Sequence, residues 1–179
     1  MVDFWTPEFA INMASDDKTD VAMETLELHH PAFIEIGVLI AIRAVNQLKD
    51  KVLTLDLGAP LQPGQAVTFN AIPFMFDFPS FEEGRAPEAT VTVDNIGREV
   101  DQYLDVAETM YTDLVCIYRV YMSSDPTTVA YGPFRFVMRE VATTGASVSG
   151  SVTVATAQNL KYLRKLYTSN EYPSLLAAS

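Results

Sequence analysis

Cysteine is almost missing from this chain. A single thiol, Cys116, in 179 residues excludes an intrachain disulfide framework and a thiolate zinc cluster. Its place in the apolar run Val115-Cys116-Ile117 suits a small buried core residue, because free cysteine behaves as a hydrophobe. Histidine is nearly as scarce: the two present stand side by side as His29-His30. Neighbours on a strand point to opposite faces, and neither H-x-x-x-H nor C-x-x-C spacing occurs. The pair therefore reads as two satisfied loop histidines, and no metal site is expected.

Basic residues are also few, 12 against 23 acidic ones, for a formal charge of -11. Such a surface repels nucleic-acid phosphates, so specific nucleic-acid binding is not expected. Long hydrophobic runs are lacking. The longest, residues 36–42, is far too short to cross a bilayer, and the first residues have neither the basic start nor the apolar core of a secretory leader. The expectation is a soluble chain made in a reducing compartment, or one that need not oxidise it, with no membrane insertion. Catalytic signatures are missing as well. No G-x-S-x-G elbow appears, and no G-x-G-x-x-G or Walker-type loop. Ser147-Val148-Ser149-Gly150 reads as turn or strand. Glu82-Glu83, Asp16-Asp17 and the trio Asp101, Asp105, Glu108 read as solvated acidic faces, not paired catalytic carboxylates. No enzyme activity and no cofactor are expected.

What is present is apolar and aromatic mass, 49% and 11% of the residues, enough for one folded domain with a proper core. Ten prolines and eight glycines lie mostly between apolar runs, which predicts many short strands joined by turns. Ala22, Glu24, Leu26 and Leu28 begin one strand, broken near Pro31 because proline cannot donate to a central ladder. Residues 33–40 read as a second strand, apolar on both faces and so covered on both; a helix over 32–45 is disfavoured by its β-branched residues and Gly37. Residues 51–57 alternate, as in a strand with one wet face. Residues 66–78 predict another, with Pro73 marking an edge or a bend.

Residues 87–121 form the central stretch, read as strand, helix, strand. The strand alternates Thr90 and Thr92 with Val91 and Val93. Asp94 or Asn95 caps a helix over about 95–110, whose stripe of Ile96, Val100, Tyr103, Leu104 and Ala107 follows helical spacing; it is the one convincing helix of the chain. Leu114 and Val115 open the next strand. A strand over 133–141 follows a loop at Pro126, and residues 141–155 predict two strands around Gly145 or one bulged hairpin. The fold class is mainly β (α+β): a β-sandwich with one flanking helix.

The ends read differently from this body of residues 21–157. Residues 1–20 look like an arm bearing Phe4, Trp5, Phe9 and Ile11, which must dock on its own domain or on a neighbour. Residues 158–179 form a second arm, locally basic through Lys161, Arg164 and Lys165 and ending in Tyr172-Pro173. Phe4, Trp5, Phe9, Lys161, Arg164, Lys165 and Tyr172 are the candidate contact residues, for protein rather than for phosphate.

Three pieces carry a resemblance: Leu26-Glu27-Leu28-His29-His30-Pro31-Ala32-Phe33; residues 89–99 (ATVTVDNIGRE) with Tyr118-Arg119-Val120-Tyr121; and Leu166-Tyr167-Thr168 with Tyr172-Pro173. Across residues 20–176 the chain resembles a family of tailed-bacteriophage proteins, described as a domain of unknown function and encoded among tail-tip genes. It is also distantly similar to the amino-terminal part of the lambda-type minor tail protein L. The resemblance implies a tail-tube-like sandwich or barrel in the virion, assembled in the host cytoplasm. It implies a distal-tail or tail-tip ring, a homo-oligomer of three or six copies, that joins the tube to the tip and lets DNA pass. Other tail proteins (tube, hub, tape measure) would be its partners, and no catalytic residues are carried over. A family-typical start would be helical, and the segment 4–20 departs from it. A receptor- or carbohydrate-binding tail module using exposed aromatics is the alternative.

Overall fold

The computed structural model describes residues 6–14, 20–77, 88–94, 112–144 and 147–154. The helix expected over 95–110, with its acidic face, lies outside these residues, as does the arm beyond residue 157. The described part is mainly β. In chain order it holds α1 (Pro7–Ala14), β1 (Ala22–His29), β2 (Ile34–Glu35), β3 (Val38–Leu39), β4 (Ile42–Val45), β5 (Lys51–Thr54), β6 (Ala66–Ala71), β7 (Phe74–Asp77), β8 (Glu88–Asp94), β9 (Leu114–Met122), β10 (Val129–Thr144) and β11 (Ser147–Val154). Nine strands make one mixed sheet in the order β5-β6-β4-β1-β9-β10-β11-β8-β7, and β2-β3 form a separate hairpin.

The centre of the sheet is the antiparallel pair β1–β9, in register over eight residues from Ala22↔Met122 to His29↔Val115. Its side chains alternate between two cores. Leu26 and Leu28 of β1 join Leu114, Cys116, Tyr118, Val120 and Met122 of β9 in the larger core, with Val91, Val93, Phe136, Val148 and Val152. Met23 and Tyr121 point the other way, into a smaller core of Val45, Leu53, Leu55, Val67 and Phe69. Both central strands are therefore covered on both faces, which explains the almost unbroken apolar run of β9.

One sheet makes both layers by curling. β7 sits four ladders from β9, yet the Phe76 ring lies 4.8 Å from Tyr118 and 5.1 Å from Phe136. At the other end β5 is also four ladders from β9, and Tyr121 Oη donates to the Thr54 carbonyl at 2.9 Å. The two layers expected of a sandwich are two halves of a single twisted sheet folding toward opposite faces. Pro73 marks where this happens: β6 pairs with β4 and β5, whereas β7 pairs with β8 at the far end of the sheet. The strand-helix-strand unit expected over 87–121 does not place its strands side by side, since β10 and β11 separate β8 from β9. The two strands expected around Gly145 are β10, ending at Thr144, and β11, starting at Ser147; they pair as a hairpin with a register shift between Arg139 and Ala142.

Two expectations need correction. The segment 4–20, expected to depart from a helical start, holds a helix at Pro7–Ala14. Thr6 is its cap: Thr6 Oγ1 accepts from the Phe9 amide at 3.3 Å and the Thr6 carbonyl from Ala10 at 3.2 Å. Proline at the first helical position loses no useful amide. The second correction concerns residues 33–40. They are not one strand buried on both faces but the tight hairpin β2–β3, turning at Ile36-Gly37 with φ of 50° and 78°. Two successive positive φ values make a turn of the kind that matches strand twist in short hairpins. The turn folds the apolar run back on itself, and Ile34, Ile36 and Val38 are left exposed.

Candidate interaction site

The sequence-derived contact residues are divided by the structure. Phe9 is buried against this chain's own body, stacked on Tyr131 with ring centroids 5.5 Å apart. The Thr6 amide donates to the Ala130 carbonyl at 2.9 Å, which ties the helix start to β10. Docking on its own domain is thus the arrangement of residues 6–14, while Ile11 and Met13 on the same helix face outward. Phe4, Trp5, Lys161, Arg164, Lys165 and Tyr172 lie outside the described residues. Sequence reasoning missed three features that the structure brings together around the end of β1.

The first is the hairpin. Ile34, Ile36, Val38 and Leu39 are all exposed, and Ile36 at the tip is 98% accessible. A β-branched residue in the left-handed region is an outlier, costing on the order of 1–2 kcal/mol. Gly, Asn or Asp would occupy such a turn without that cost. The hairpin is held at its base, where the Ile40 amide donates to the Phe33 carbonyl at 2.8 Å and Phe33 is fully buried. A rigid root thus carries an apolar tip.

Next to it opens the second feature, an apolar pocket of about 440 Å³. Pro31, Leu39, Ile40, Pro60, Leu61 and Val115 make its walls, and His29, His30, Thr112 and Asp113 supply its polar atoms. His30 is fixed: its Nδ1 accepts from the Ala32 amide at 3.1 Å, so its Nε2 carries the proton and donates to the Thr112 carbonyl at 3.2 Å. It is a structural histidine that holds the Pro31 turn against the start of β9. Among the described residues no group of three or more His, Cys, Asp or Glu side chains is arranged to hold a metal.

Behind the pocket lies the third feature, a buried ion network on the small-core face of β1 and β9. Glu27, fully buried, accepts from Arg119 Nη1 at 2.6 Å and from Arg43 Nε at 2.9 Å. Arg119 Nε reaches Asp56 at 2.7 Å. His29 Nε2 stands 3.4 Å from Glu27 Oε1, and this nitrogen and Arg43 Nη2 are buried without a hydrogen-bond partner. Burial pushes the Glu27 carboxyl up; the facing His29 and Arg119 outweigh it and hold the acid down to about 2. Arg119 likewise stays charged, because Glu27 and Asp56 offset the cost of its burial. Every formal charge here is paired, and the cluster ties β1 to β9, to Arg43 of β4 and to Asp56. The Cys116 thiol is pushed up by complete burial.

Residues 8–167 match the family model described as Domain of unknown function (DUF1833). The chain belongs to the DUF1833 family. No curated protein sequence matches it. The match spans all the described strands and so takes in the hairpin, the pocket and the ion network of this DUF1833 chain. Among the described residues no helix is long and apolar enough to cross a membrane.

Proposed function

We propose that this protein is a structural component of a bacteriophage tail, part of the distal tail or tail-tip ring that connects the tube to the tip. It performs no reaction. Copies join side by side in a closed ring, the heterologous arrangement in which one surface patch meets a different patch on the next copy. The observation that carries the reading is the hairpin. A chain that places a strained isoleucine at a fully wet tip gives up stability that only a later contact recovers, and backbone outliers of this kind collect at functional positions. The resemblance of residues 20–176 to tail-tip proteins supplies the setting. The acidic excess suits a channel through which DNA passes without sticking.

The large exposed hydrophobics of the described residues favour this reading over a saccharide platform. They are isoleucine, leucine, valine and methionine, with no aromatic ring among them, whereas sugars are gripped by aromatic faces. The test is electron microscopy of purified tails with mass spectrometry of their proteins. A ring of this chain at the tip, three or six copies, is the expected result; particles lacking the chain would end the proposal. Tight, saccharide-specific binding by the isolated protein on a glycan array would favour the receptor-binding alternative.

A further inference from the structure

We propose that the pocket beside the hairpin receives the hairpin tip, Ile34 to Val38, of a second copy of this chain. The proposal rests on the ring reading for its setting and names the two patches that meet there.

The first observation is where the apolar surface lies. Of the twelve large hydrophobics exposed among the described residues, four are Ile34, Ile36, Val38 and Leu39. Four within six consecutive positions make a patch, whereas the rest fall one or two to an element, as on any surface. The pocket opens at the foot of this patch, with Leu39 and Ile40 in its wall. The tip does not turn back into it, because Ile36 is 98% accessible. Ile36 stands two residues beyond Ile34, on the order of 6–7 Å out from the Ile34↔Leu39 pair at the hairpin's base. Each copy thus carries a projecting apolar knob and, beside it, an apolar socket that its own knob leaves open.

The second observation is fit. A cavity of about 150 Å³ takes a benzene ring, so one of about 440 Å³ has room for two or three branched aliphatic side chains. The walls are aliphatic and proline, Pro31, Pro60, Leu61 and Val115 among them, and the tip is aliphatic with one glycine. Its single charge does not have to enter. Glu35 pairs with Val38 on the face opposite Ile34 and Leu39, so Ile34 and Ile36 can be buried while the carboxylate stays in water. Ile36 and Gly37 lie outside the β2–β3 ladder, and their amides are donors at the tip. Asp113 in the pocket wall is an acceptor, and an amide bonded to a carboxylate makes a strong hydrogen bond.

The third observation is the mounting. Phe33, fully buried, accepts from the Ile40 amide at 2.8 Å and donates to the His30 carbonyl at 3.0 Å. His30 and Ile40 are themselves pocket residues, so knob and socket share one anchored stretch of chain. Both are preformed, and little order remains to be imposed when they meet. The contact is small. A standard interface uses about 20–30 residues a side, and the hairpin supplies only residues 34–39. Free copies therefore meet transiently, and repetition around a ring makes the contact lasting.

Disulfide trapping between full-length copies tests the proposal, since it records transient contacts. One variant carries Ile36→Cys in the tip and a second carries Leu61→Cys in the pocket wall. Mixed under mild oxidation, they should cross-link at least about tenfold faster than Ile36→Cys mixed with Leu48→Cys, whose site is wholly exposed on a loop. Buried Cys116 stays out of the reaction. Adding Ile34→Asp to the tip-bearing variant should bring the rate down to that of the control, with the circular dichroism spectrum unchanged. Equal rates for the two mixtures, or a rate that Ile34→Asp leaves unaltered, overturn the proposal. Such a failure leaves the ring reading standing where tails still hold the chain at the tip. Specific trapping of a chain absent from tails keeps the contact and ends the ring reading.

Discussion

Glu27 and Arg119 allow the fold to be tested at its centre. They face each other across β1 and β9 with a 2.6 Å contact, both essentially inaccessible. Replacing Arg119 by Met keeps the volume and leaves Glu27 buried with Arg43 at 2.9 Å as its remaining guanidinium partner. Asp56, by contrast, is partly exposed and can return to water. Stranding one buried charge costs about 3–5 kcal/mol. With a urea m-value of ~2 kcal/mol/M, that is a drop of roughly 1.5–2.5 M in the unfolding midpoint. Glu27→Leu should cost a similar amount, because it takes the carboxylate from Arg43 and leaves buried Arg119 with Asp56 alone. The double variant removes both charges and should cost about 2 kcal/mol, far less than the sum, since an apolar pair of similar volume often replaces a buried ion pair at little loss. The assay is equilibrium urea unfolding at pH 7 with unchanged slope for all four proteins. An Arg119→Met loss below about 1 kcal/mol, or a double variant additive to within ~0.5 kcal/mol, would refute the claim that these charges depend on each other.

Other outcomes follow from the same geometry. Glu27 titrates near 2 in the folded chain against an ordinary 4.5, so its contribution is fully present above about 4.5 and is lost as pH falls toward 2; unfolding midpoints measured from pH 7 to 3 should fall less steeply in Glu27→Gln than in the unaltered protein. Asp20, held below its usual range by Ser123 and Ser124, and Asp125, held at about 2 by Thr127 and Thr128, act in the same direction; as exposed groups they add little. Ile36→Gly should raise the stability of the isolated chain by about 1 kcal/mol, by relieving the left-handed strain, and at the same time abolish ring assembly; a destabilised variant, or one that assembles normally, contradicts the role given to the hairpin. Thr6→Ala should cost about 1 kcal/mol through the lost cap, and Phe9→Ala about 3–5 kcal/mol through the cavity beside Tyr131, both read by thermal unfolding. A Phe9→Ala variant as stable as the parent would show that the helix is not docked.

How far the residues alone disclosed this arrangement depends on the range of the interactions. Strands whose two faces differ, such as Lys51–Thr54 with buried Leu53 beside exposed Val52, announce themselves through alternation. Helix α1 was readable too, since Thr6-Pro7 is a start signal, but it is easily passed over in an eight-residue helix beside a polar run. The Ile36-Gly37 turn left only its glycine as a sign. Isoleucine at φ of 50° runs against every local preference, so an apolar run read locally stays a strand. Glu27 and Arg119 are 92 residues apart in the chain. Each sits in an apolar stretch where an unpaired charge is untenable, which signals a partner without saying which.

The sequence by itself determined a mainly β domain with an acidic surface, a thiol destined for the core and strands bounded by proline and glycine, because alternation, burial preference and turn chemistry act over a few residues. Only the tertiary structure decided that one curled sheet supplies both layers, that Phe9 is held by Tyr131, and that His29, Val115 and the β2–β3 hairpin meet around one pocket. Those outcomes depend on pairings between residues tens of positions apart, and the energy of such a pairing exists only once both strands are in place.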